Sequence, residues 1–327
     1  MTEASQEGKR TPVEYGIQKG PPLWLFKLRV SIIYAGAIAS LVFFPPTWPL
    51  FWLFVVSYAV RMWSAEAVLH RFFAHRAFRT GRVMQFVFGF LGCQAGQRGP
   101  LWWAAIHHVH HKNADTEKDP HSPVAHSFWT AQSGWFMNPR YTDTNLDLVR
   151  YYARYPELRW LNKHYMVPFA GIGVLLFLAG HLGWLGPQVS GLAAACWGVF
   201  LPATLSVHLF SLVNSIGHLR RGLGGSRRYE TDDESVNRPI LALLTFGTGW
   251  HNNHHRYAAA ARAGFAWYEI DISYYVLRVL ALVGLVRDLR PVPARILAQG
   301  GLQAGLAENV IQEVPDTADV ASPHDGG

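Results

Sequence analysis

Charge and cysteine are both scarce in this chain, and each scarcity removes a class of function. Only 16% of the residues are Asp, Glu, Lys or Arg, against roughly 25% in ordinary soluble domains. Half are hydrophobic, so the composition points to a membrane. The two cysteines, Cys93 and Cys196, cannot build a disulfide framework, a CxxC site or an iron–sulfur cluster; both read as small core residues. A glycine-rich nucleotide loop, a haem-binding HPGG element and a base-reading motif are also missing. The formal charge of +7 therefore points to lipid headgroups or a phosphorylated substrate, not to nucleic acid.

Long apolar runs are present. Four of them are long enough for a hydrocarbon core of about 30 Å: Phe26–Phe44, Trp48–Ala65, Val167–Trp184 and Leu192–Val213. Val83–Ala95 is too short to cross and reads as re-entrant or interfacial, and Ile272–Val286, broken by Arg278, reads as an interfacial helix. Thirteen tryptophans and thirteen tyrosines suit interfacial belts. Residues 1–20 are polar and expected to be disordered, as is the acidic tail 304–327; the body, 21–290, is expected to form one unit.

Histidine is abundant. Ten fall in four segments: HRFFAH (70–75), HHVHH (107–111), NSIGH (214–218) and WHNNHH (250–255). On a helix, residues three and four apart share a face, so His107, His110 and His111 converge, as do His251, His254 and His255. His108 points about 100° away from His107. His70 and His75, five apart, would diverge by roughly 140° on an unbroken helix, so a bend is expected between them. Counting His218, nine imidazoles exceed the roughly six positions of one octahedral ion, which calls for two metals of the iron, copper or zinc type.

Parity fixes the sidedness of these groups. Two spans precede His70, none separates His75 from His107, and two separate His111 from His218, so every group lands on one side. The connections 45–49 and 181–191 carry no Lys or Arg, which places the histidines in the cytoplasm. The expected fold is an all-α membrane protein: four transmembrane helices carrying a histidine-rich cytosolic cap that holds a dinuclear metal site.

HRFFAH, WAAIHHVHH followed by DPH, NSIGH, and GWHNNHH followed by WYEID, in that order, resemble the membrane fatty acid desaturase family, in its acyl-CoA delta-9 (stearoyl-CoA-type) branch. The resemblance spans roughly Trp24 to Leu289. It implies two Fe ions held by His70, His75, His107, His110, His111, His218, His251, His254 and His255, with Asn214 coordinating through water. Asp119 and His121 match the family's DPH element, and a supporting rather than a ligating role is expected for them. Gln97 and Trp103 fall where the family lines its acyl tunnel. Tyr58 and Met62, twelve and eight residues before His70, are expected to close the tunnel's far end and set chain length.

The implied reaction is O2-dependent insertion of a cis double bond into a long-chain acyl chain, carried as acyl-CoA or in a lipid. Electrons must come from a separate donor such as a ferredoxin or cytochrome, for which Arg220, Arg221, Arg227 and Arg228 offer a docking face. Hydroxylation, or decarboxylation of a fatty acid to a terminal alkene, would use the same histidines. A binuclear copper protein and a metal transporter are further readings; away from the span ends, the lone His208 is the histidine that would suit a transporter. The termini suggest the bacterial inner membrane.

Overall fold

The computed structural model describes residues 13–220 and 224–303. Arg221, most of the expected N-terminal loose segment and the acidic tail lie outside the described residues. From Val13 onward the N-terminal stretch has partners: β1 (Ile17–Gln18) pairs antiparallel with β3 (Thr144–Asn145), and Asp147 accepts the amides of Tyr15 and Gly16.

The protein is mostly helical. Among the described residues, three helices are long and apolar enough to cross a membrane: α1 (Leu23–Phe43), α2 (Trp48–Trp63, continued by a π-helical segment Ser64–Ala74) and α7, which runs from Gly191 to His218. A fourth span exists only as a bent pair, α5 (Pro156–Lys163) and α6 (Met166–His181), which meet at 68°. The third expected span is therefore shorter than a full crossing by itself. Between α2 and α5 lie β2 (Arg79–Thr80), α3 (Arg82–Gln94) and α4 (Pro100–Asn113), and β2 pairs with β4 (Val286–Arg287) near the end of the fold. The chain closes through α8 (His251–Arg256) and α9 (Ile272–Leu282).

Local chemistry explains the boundaries. Pro100 and Pro156 open α4 and α5, where a missing N–H costs nothing. Ser190 caps α7 through Ala193 N, and Asp271 caps α9 through Tyr274 N. Apolar lipid gives helices no reason to associate by burial alone, so contacts rest on close packing. A Cβ on Gly180 would stand 2.7 Å from Ser190 O, and one on Gly191 would stand 2.7 Å from Phe177 O. The hairpin between α6 and α7 thus closes at backbone distance.

The main core lies beyond the spans, where α3, α4 and the π segment pack together. Phe72, Phe73, Phe78, Phe88 and Tyr152 form one aromatic cluster there. This cluster is the floor on which the histidines stand.

Candidate metal centre

The π segment answers the angular problem posed by His70 and His75. Its i→i+5 bonding, seen in the 3.1 Å bond from His75 N to His70 O, brings residues five apart onto nearly the same face. The expected bend is absent; a wider helix does its work. The helix then stops at Arg76, whose φ is +51°.

The nine histidines gather into two groups of nitrogen atoms, each within 4.8 Å: His70, His75, His107, His111 and His254 in one, His110, His218, His251 and His255 in the other. Each helical trio is divided between the groups. On α4, His107 and His111 share one group while His110 turns to the other; on α8, His251 and His255 share the second while His254 reaches the first. The i, i+4 pair defines one face, and the third residue, about 100° from one member of its pair, faces the neighbouring centre.

Nε2 atoms face one another across short gaps: 3.0 Å for His70 and His254, 2.8 Å for His75 and His107, 3.0 Å for His111 with His107 and with His254. In the second group, His251 Nε2 lies 2.9 Å from that of His218 and 3.1 Å from that of His255. These are not ordinary hydrogen bonds. His70, His110, His218 and His255 donate Nδ1–H to Glu66, Asp119, Asp115 and Asp233 at 2.8, 3.0, 2.8 and 2.6 Å. With the proton on Nδ1, each Nε2 carries a lone pair. His251 can donate to one neighbour but not both, so lone pairs remain opposed in a buried place.

A cation resolves the conflict. With metal–nitrogen bonds of about 2.1 Å at right angles, neighbouring donors stand about 3.0 Å apart, matching the gaps observed. The donor set fits a pair of metal ions that accept neutral imidazole.

Electrostatics favour the neutral form in six of these imidazoles. Burial, and then the neighbouring imidazoles, push His75, His107, His111, His251 and His254 well below the usual histidine range. Burial also takes His255 down to about 4, against the pull of Asp233. His110 is the exception: burial lowers it, but Asp119 more than offsets this and leaves it raised. Burial opposes the charges of Asp119 and Asp233, yet the histidines beside them hold both carboxyls far below their ordinary value.

Asp119 thus fixes His110, and His121 stacks near it at 4.4 Å, its Nδ1 left without a hydrogen bond. His108 stands outside both groups, with its two ring nitrogens against Leu148 O and Ala74 O. Sequence reading missed Glu66, Asp115 and Asp233. Glu66 had a signal, as the one acid in the apolar run 48–74, four residues before His70. Asp115 and Asp233 had none, being 103 and 22 residues from their partners.

A cavity of about 20 Å³, enough for a water molecule, touches both groups and is lined by His70, His107, His251, Asn214, Gln97 and Trp103 among others. Trp103 stacks on His107 at 4.7 Å and donates to Gln97 Oε1 at 2.9 Å. Gln97 also lines a second, apolar cavity of about 40 Å³ with Phe26, Val207 and Ser211. Gln97 therefore lines both cavities, and Trp103 only the one at the histidines. Tyr58 and Met62 do not line either cavity. Their shared face is taken up by packing: Met62 is wholly buried, and Tyr58 donates to Leu244 O at 2.6 Å and abuts Phe246.

Of the arginines expected to greet a donor, the three among the described residues are engaged internally. Arg227 donates to Thr231 O, Asp233 O and Ser235 O, Arg220 pairs with Glu234 at 2.6 Å, and Arg228 pairs with Glu269 at 2.7 Å. His208 is satisfied by Tyr34 Oη at 2.6 Å.

The sequence model described as "Fatty acid desaturase" matches residues 46–282. Among similar proteins, an acyl-CoA C20 Delta5-desaturase of Anemone leveillei is 32% identical over 81% of this chain and 82% of its own length. A Delta-9 acyl-lipid desaturase 2 of Arabidopsis thaliana is 32% identical over 78% of this chain and 79% of its own. A hex-5-enoyl-[acyl-carrier protein] acetylenase of Moorena producens is 31% identical over 84% of this chain and 87% of its own.

Proposed function

The chain belongs to the fatty acid desaturase family, and from that premise we propose that it uses dioxygen and two iron ions to insert a cis double bond, at the delta-9 position, into a long-chain acyl chain. The nine histidines His70, His75, His107, His110, His111, His218, His251, His254 and His255 would hold the irons, with Asn214 contributing through water. When bound, the iron pair supplies dioxygen activation and removal of two hydrogens from an unactivated methylene, which no side chain can do alone.

The protein's own residues do the rest. Glu66, Asp115, Asp119 and Asp233 keep protons on Nδ1, so that Nε2 is always the free donor atom. Trp103 and Gln97 hold the wall between the apolar cavity and the histidines, and shape alone selects the carbon presented, because dispersion contacts have no direction. Electrons arrive from a separate ferredoxin or cytochrome. The histidines face the cytoplasm of a bacterial inner membrane, since the basic residues share their side.

The opposed imidazole lone pairs carry this reading. Ligands set at helix ends, beside an apolar cavity, suit catalysis better than passage through a pore. Gas chromatography with mass spectrometry of lipids from a host lacking unsaturated chains tests it. Wild type and His108→Ala should both yield a new monoenoic acid, and His110→Ala should yield none. A hydroxy acid or a terminal alkene in its place would assign the neighbouring chemistry.

A further inference from the structure

The pairing of β2 with β4 sets two arginines against each other. In the antiparallel register Arg79 stands directly opposite Arg287, and Thr80 opposite Val286. Val286 is buried and Thr80 Oγ1 donates to Leu285 O at 2.6 Å, while Arg79 and Arg287 are both exposed, so the arginines occupy the outer face of the ladder. Residues directly opposite on one face lie about 5 Å apart at Cβ, and like charges there repel. Little offsets this. Asp288 meets Arg79 at 3.6 Å with both side chains more than half exposed, a weak pair in water, and Arg287 has no ion pair among the described residues. Residues 76–80 and 286–290 together carry Arg76, Arg79, Arg287 and Arg290, all exposed, against Asp288 alone.

The ladder lies between two bare apolar stripes. Just after β2, α3 exposes Val83 (78%), Phe86 and Val87; just before β4, α9 and the turn after it expose Val279, Leu282 (82%), Val283 and Leu285. Spacings of three and four put each helical set on one face. In a chain with membrane-crossing helices, an apolar stripe flanked by arginines belongs to a helix lying in the interface with that stripe in the acyl layer. Arg79 and Arg287 then stand at headgroup depth. No span separates β2 from His75, so they face the leaflet on the histidine side.

The geometry points to a binding site for an anionic phospholipid headgroup on the outer face of the β2–β4 ladder. Its phosphate accepts from both guanidiniums, each a two-pronged donor, and cancels the repulsion between them. The acyl chains lie against the exposed residues of α3 and α9. Neither arginine lines the cavities at Gln97 and the histidines, so this lipid is a structural partner and not the substrate. A zwitterionic headgroup brings its own ammonium to a cationic place and suits it less. β2 follows the segment carrying His70 and His75, and β4 follows α9, whose capping residue Asp271 grips Arg71 beside His70. A headgroup across Arg79 and Arg287 fastens the same two segments from outside.

Full-length, metal-loaded protein, delipidated in detergent, is titrated with dioleoyl-phosphatidylglycerol, dioleoyl-phosphatidylcholine or inorganic phosphate and followed by native mass spectrometry and thermal unfolding. Oleoyl chains already carry a double bond, which keeps turnover out of the readout. Arg79→Glu and Arg287→Glu change exposed side chains and leave the core intact; Arg140→Glu, exposed and outside the ladder, controls for charge reversal. Preferential retention of phosphatidylglycerol and a raised unfolding midpoint in wild type and Arg140→Glu, with affinity lowered about fivefold or more in each ladder variant, supports the proposal. Equal affinity of ladder variants and wild type, equal retention of the two lipids, or full protection by inorganic phosphate overturns it. Unchanged lipid affinity with slower electron transfer from an acidic ferredoxin gives this face to the electron donor and also overturns it. The desaturase reading stands in every case.

Discussion

Glu66 joins His70 to Arg71. One carboxylate oxygen accepts from His70 Nδ1 at 2.8 Å and from Thr248 Oγ1 at 2.6 Å; the other accepts from Arg71 Nε at 2.8 Å. Arg71 in turn grips both oxygens of Asp271 at 2.9 Å. All of these groups are buried, so the charges are compensated only by one another.

Glu66→Gln keeps the shape and removes the charge that balances Arg71 and orients His70. Breaking one partner of a buried ionic set costs about 3–5 kcal/mol, and loss of a ligand's outer support weakens metal binding about 10- to 100-fold. Metal affinity by competition with a chelator, together with thermal unfolding, should show both losses. Unchanged metal affinity would mean that His70 does not depend on Glu66.

Acid should destabilise the metal-free protein. His255 is held at about 4 by burial, and His75, His107, His111, His251 and His254 are also lowered, while unfolded histidine titrates near about 6.5. Between those values the unfolded chain binds more protons, so stability is full above about 6.5 and is lost as pH falls toward about 4. His110, being raised, works in the opposite direction but is one group against six. Unfolding midpoints of metal-free protein measured from pH 7.5 to 4.5 should fall steadily; a flat or rising profile would contradict the burial of neutral imidazoles.

Chain length should answer to α7 rather than to α2. Val207 lines the apolar cavity with Gln97, so Val207→Phe should shift products toward shorter chains. Met62→Ala should leave the product profile unchanged while costing about 2–5 kcal/mol of stability, as a truncation in a packed core does. Product profiles in cells expressing each variant would separate the two; a longer product from Met62→Ala would return that residue to the tunnel.

Much of this site was legible in the sequence because its ligands come in short helical repeats. The i, i+3, i+4 spacing of His107, His110 and His111 marks a shared neighbourhood, and the apolar runs marked three spans and most of a fourth. Two things were not legible. A period of 3.6 residues carries no trace of a π segment, so the convergence of His70 and His75 looked like a bend. The partition of each trio between two centres, and the pairing of His218 with Asp115 across 103 residues, depend on how distant loops close, which local spacing does not encode. The surroundings of Tyr58 were hidden for the same reason: its helix face was evident, but its neighbours on that face come from residues 244 and 246.

Two imidazole groups of this kind should hold two ions. Metal analysis of protein purified and loaded with ferrous iron without oxygen tests it directly, using wild type beside His107→Ala and His251→Ala, one from each group. About two irons per chain are expected in wild type and fewer in each variant. A wild-type chain that takes up no iron, or only one, would contradict it.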